Sequence, residues 1–128
     1  MDNPSSLVEL FVTATINQHT ALSTYDHKLA NKYFRLSERY ICQIKLLPDW
    51  EKSILPLLNH EHIAVRINAA SILLPYETKR AEYVLKQSRF ASGIDGFNAK
   101  MILNEWKSGE LKFPVLENGK ISYKKVQV

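Results

Sequence analysis

His60-Glu61-His62 sets two imidazoles and a carboxylate side by side in a chain of 128 residues, and these are donor types that hold zinc. A zinc site needs about four ligands, or three and a water, drawn from converging positions. The other candidate donors are dispersed: His19, His27, the single cysteine Cys42, and the aspartates Asp2, Asp26, Asp49 and Asp95. Metal ligands on one helix stand three or four apart, whereas His60 and His62 stand two apart in a polar link between apolar segments. They read as an ordinary solvated turn, and no metal or other cofactor is expected. No glycine-rich phosphate loop or nucleophile elbow occurs. The aspartates fall near helix starts or the terminus, where capping accounts for them. Cys42 has no histidine or helix N-terminus beside it to activate the thiol, so it reads as a packing residue. The expectation is a protein that is not an enzyme.

A second set of residues suits binding. Lys28, Lys32, Arg35 and Arg39 recur at intervals of four, three and four, so they form one row along a helix. Most such rows are solvated faces. Like charges in succession nevertheless weaken an isolated helix, and an acidic partner would relieve them. Tyr25 and Phe34 beside the row are candidate interface anchors, while Tyr33 and Tyr40 fit the apolar stripe of the same helix. The net charge of +4 favours an acidic partner mildly. Much of it comes from the C-terminal end, where residues 107–128 hold five lysines and two glutamates.

Helices must position these side chains. Ser6 and Glu9 form a capping box before a helix over about residues 6–22, with Leu7, Leu10, Phe11, Ala14, Gln18, Ala21 and Leu22 on one face. Asp26 is the expected N-cap of a second helix carrying Leu29, Tyr33, Leu36, Tyr40, Ile44 and Leu47 inward. Pro48 ends that helix and suits the first position of a third, whose buried side is Trp50, Ile54, Leu57 and Leu58 and which Pro56 bends. A fourth helix buries Val65, Ala69, Ile72 and Leu73 and stops at Pro75. A fifth, over about residues 76–88, buries Ala81, Val84 and Leu85. A sixth buries Ala99, Ile102, Leu103 and Trp106 and closes at Gly109. Asn118-Gly119 then signals a hairpin. No apolar run reaches bilayer length, and the first residues lack the pattern of a secretory signal. With one cysteine, a reducing cytoplasm is the expected compartment.

Residues 54–74, from Leu55, Leu57 and Leu58 through the polar link to Val65, Arg66, Ala69 and Ala70, resemble a HEAT repeat unit. Arg66 in that unit is expected to contact the turn of a neighbouring repeat. "LVELFVTATINQHTAL", "ILPLLNHEHIAVRINAA" and "AKMILNEWKSGELKFP" together resemble a small bacterial HEAT-like domain family of unknown function, associated with immunity proteins of polymorphic-toxin and contact-dependent growth-inhibition systems. The resemblance implies an all-α fold, a short α-solenoid of about three antiparallel helix pairs over residues 1–112, with residues 113–128 as an added tail carrying the hairpin. It implies a monomer, or a heterodimer with a cognate toxin domain, and brings no catalytic residues. In such a solenoid the second helices line the concave face, which would set Arg66 and Lys100 near the row of Lys28, Lys32, Arg35 and Arg39. The alternative reading is a HEAT-like protein that cradles nucleic acid on this basic face.

Overall fold

The computed structural model describes residues 4–125, with six α-helices and a C-terminal antiparallel hairpin. The elements are α1 (Pro4–Ser23), α2 (His27–Ile44), α3 (Trp50–Ile54), α4 (Ile63–Leu73), α5 (Thr78–Ser88), α6 (Gly93–Ser108), β1 (Lys112–Glu117) and β2 (Lys120–Lys125). A 3-10 segment, Leu55–Asn59, continues α3. Pro56 enforces this change of winding, because it has no N–H for an α-helical bond. The backbone groups into two compact units, one running to Ser53 and including Pro114–Ser122, the other comprising Ile54–Phe113 and the chain from Tyr123.

In the first unit α1 packs along α2. α1 begins at Pro4, a residue suited to a first helical position, so Ser6 and Glu9 lie inside the helix and not at its N-cap position. Leu7, Phe11, Ala14 and Ala21 are buried as their spacing requires, but Leu10 is exposed. α2 is capped by Asp26, whose carboxylate accepts from the Leu29 N–H at 3.1 Å. Its buried line is Ala30, Ser37, Ile41 and Ile44, not the line through Leu29. The bulky side chains had suggested Leu29, which is exposed, while Tyr33 and Tyr40 are only half-buried. The buried line opens with the small Ala30 and Ser37 and continues with Ile41 and Ile44. α2 ends at Ile44, before Pro48. Pro48 and Asp49 form the following turn, with Asp49 at φ 54°, and α3 starts at Trp50.

In the second unit α4 contacts the 3-10 segment, α5 and α6, and α5 also contacts α6. α4 is enclosed on almost every side: Val65, Ile67, Ala69, Ala70, Ile72 and Leu73 are all buried. A helix apolar all round belongs at the centre of a cluster, and Ala69 and Ala70 let its neighbours come close. α5 starts at Thr78, two positions later than its pattern suggested, and buries Ala81, Leu85 and Ser88, with Val84 half-buried. α6 buries Gly96, Ala99 and Leu103. Ile102 and Trp106 are half-buried, because Gly96 turns the helix so that its small side faces inward. The β1–β2 turn is Asn118-Gly119, with φ 50° and 76°, the paired positive angles a two-residue hairpin turn demands.

Candidate interaction surface

The His-Glu-His turn is built by its own hydrogen bonds. His62 is the N-cap of α4, its Nδ1 accepting from the Ala64 N–H at 3.1 Å. The His60 Nδ1 accepts from the His62 N–H at 3.0 Å. Both imidazoles accept through Nδ1, so in the neutral form each carries its proton on Nε2. The Arg66 guanidinium donates to the carbonyls of His60 and Glu61 at 2.8 and 3.0 Å. Arg66 thus ties down the turn ahead of its own helix, where a contact to a neighbouring repeat had been expected. Among the described residues, no three His, Cys, Asp or Glu groups converge in a way that could hold a metal ion.

The basic row lies in the first unit. Lys28, Lys32, Arg35 and Arg39 are all exposed along α2, and no ion pair joins any of them to a described carboxylate. The Lys32 ammonium lies 5.9 Å from the Tyr33 ring centroid, the outer limit of a cation–π contact. Phe34, on the same helix, is 41% exposed. Tyr25 is 82% exposed and holds φ at 60°. It sits just past the end of α1, where the Asp26 N–H reaches back to the Ala21 carbonyl at 2.9 Å. That is the closing bond of a Schellman cap, whose left-handed residue is usually glycine. Gly109 fills the equivalent position after α6, with φ 77° and the Glu110 N–H on the Glu105 carbonyl. The remaining candidates, Arg66 on α4 and Lys100 on α6, belong to the second unit, and Lys100 is exposed.

Two ionisable groups at the end of α2 turn inward. Burial pushes the Cys42 thiol up, with Lys45 pulling it down to a lesser degree. Burial likewise pushes Lys45 down, and its ammonium lies 5.7 Å from the Trp50 ring centroid. A buried thiol with a raised pKa is a poor nucleophile, in keeping with a packing role.

A family model described as a domain of unknown function, DUF2019, matches residues 5–105. The chain belongs to the DUF2019 family. That description assigns no activity and no partner. The crystal structure of the protein RPA1889 from Rhodopseudomonas palustris CGA009 has the same fold, with a TM-score of 0.78 and 23% sequence identity over 86% of this chain and 93% of that one. No curated protein matches. In this DUF2019 chain no helix among the described residues is long and apolar enough to cross a membrane.

One exposed feature of the DUF2019 chain escaped the sequence reading. Ile94, Phe97 and Met101 stand at i, i+3 and i+7 on α6, and all three are exposed, on the side opposite Gly96, Ala99 and Leu103. Phe90 precedes them, 74% exposed, with the Arg89 guanidinium 4.8 Å from its ring centroid. Ile94, Phe97 and Met101 form a second apolar line on α6, and helical periodicity alone does not say which of two apolar lines a neighbour covers.

Proposed function

We propose that the protein is a binding module that captures and neutralises a cognate bacterial toxin domain, with α2 as its contact helix. The observation carrying this reading is the exposed row of Lys28, Lys32, Arg35 and Arg39 along α2, with Phe34 exposed elsewhere on the same helix and Tyr25 exposed just ahead of it. A row of exposed cations unpaired with described carboxylates suits an acidic protein surface. The toxin class comes from the resemblance to HEAT-like immunity proteins, as do the solenoid arrangement of helix pairs, the cytoplasmic setting and the heterodimeric complex. Arg66 serves the His60–His62 turn in this reading, and Lys100, in the second unit, takes no part in the contact.

The test is a titration of the purified chain against the toxin domain encoded beside it. Lys32→Glu with Arg35→Glu is expected to slow association about tenfold or more and to flatten its salt dependence, since exposed charges act mainly on encounter. Folding is expected to be unaffected, because these side chains are solvated. The spacing of the cations also suits a phosphate backbone. Tight binding of random duplex, falling steeply with salt and with no effect on the toxin, would replace the first reading with nucleic-acid binding.

A further inference from the structure

In the second unit, the 3-10 segment and α5 enclose a groove of about 390 Å³ lined by Leu55, Leu58, Asn59, Lys79, Arg80, Tyr83 and Val84. Leu58 is buried and Leu55 and Val84 are half-buried, so the floor is aliphatic. Asn59, Lys79, Arg80 and Tyr83 are exposed and make the rim. The volume lies within the range of about 300–1,000 Å³ typical of ligand sites. We propose that this groove binds an acidic peptide segment, one that inserts an apolar side chain between Leu55, Leu58 and Val84 and sets neighbouring carboxylates against Lys79 and Arg80.

Each part of the rim narrows the occupant. Two adjacent cations call for negative charge, and the planar guanidinium of Arg80 pairs with a carboxylate in a fork. Arg80 now lies 3.5 Å from Glu77 in a largely exposed pair, a weak contact that a ligand carboxylate can displace at little cost. The Asn59 side chain carries both a donor and an acceptor, the complement of a peptide group. Tyr83, 65% exposed at the groove edge, offers an aromatic wall of the type that anchors interfaces. A fatty acid would satisfy the floor and the cations but would make no use of the Asn59 amide. The proposal is independent of α2, which lies in the other unit.

The full-length chain, isotope-labelled, is titrated with the blocked peptide N-acetyl-Leu-Glu-Glu-amide while its amide resonances are followed. Shifts are expected at Asn59, Arg80, Tyr83 and Val84. Replacing both glutamates by glutamine, or the leucine by glycine, is expected to weaken binding about tenfold, the scale of one charge-assisted hydrogen bond or one buried aliphatic side chain. Lys79→Glu and Arg80→Glu, both at exposed positions, should do the same with an unchanged circular-dichroism spectrum. Lys32→Glu with Arg35→Glu should leave the titration unaltered. Absent shifts at millimolar peptide, an affinity indifferent to Lys79 and Arg80, or a loss on changing Lys32 and Arg35 would each overturn the assignment. Octanoate binding the same residues more tightly than the peptide would overturn the peptide in favour of a free carboxylic acid.

Discussion

Tyr25 stands where a glycine would be easier to hold. Its φ of 60° belongs to the left-handed region, which costs a residue bearing a Cβ about 1–2 kcal/mol. Its ring is solvated and returns little packing energy. Tyr25→Gly should therefore leave thermal stability unchanged or raise it by up to about 1 kcal/mol, after allowing for glycine's greater freedom when unfolded. The same variant should bind the cognate partner more weakly. If stability falls well below that of the parent, the ring packs in a way its exposure does not show. If binding is intact, Tyr25 is no anchor. The histidines make the opposite case: His60 and His62 look reactive by type, yet each spends its Nδ1 on a backbone N–H of the turn.

At the scale of the element, α6 separates burial from hydrophobicity. Its inward line is Gly96, Ala99 and Leu103, and the larger Phe97 and Met101 stand outside. A Cβ on Gly96 would fall onto the Ala91 carbonyl oxygen and would come within 3.1 Å of the Arg89 carbonyl. Close approach thus sets the helix rotation. Leu103→Ala should destabilise by about 2–5 kcal/mol, the range for emptying an aliphatic core site. Trp106→Ala should cost less than a fully buried tryptophan would, below about 3 kcal/mol, because part of its surface already meets water. Chemical denaturation of the two variants decides it; a larger loss for Trp106 than for Leu103 would mean that the burial order is wrong.

For the whole molecule, the charge distribution matters to encounter more than to folding. The ion pairs Arg80–Glu77 and Lys125–Glu110 are both largely exposed, and such pairs contribute about 0–1 kcal/mol each. The core is apolar, from Phe11 and Ile41 in the first unit to Val65, Leu73 and Leu85 in the second. Raising the ionic strength from low to physiological should move the unfolding midpoint little. Over the same range, association with an acidic partner should slow several-fold as the net charge of +4 is screened. A midpoint that falls in step with the association rate would show that surface charge also holds the fold.

The sequence by itself determined that the chain is helical, where most of the helices lie, and the two glycine-closed turns. Those features depend on neighbours in the chain: Asp26 capping α2, Pro75 just beyond α4, Gly109 and Asn118-Gly119 at positive φ. The exposed row on α2 was also legible, because four, three, four spacing is a property of one helix alone. Tertiary structure decided which line of each helix faces inward. Leu29 and Leu10 lie outside while Ala30 and Ser37 lie inside, since the face that wins is the one that lets two backbones approach, and that depends on the partner helix. The groove under Lys79 and Arg80 was invisible for the same reason: it joins Leu55, Leu58 and Asn59 to Tyr83 and Val84, residues that no periodicity relates and only the packing of α5 on the 3-10 segment brings together.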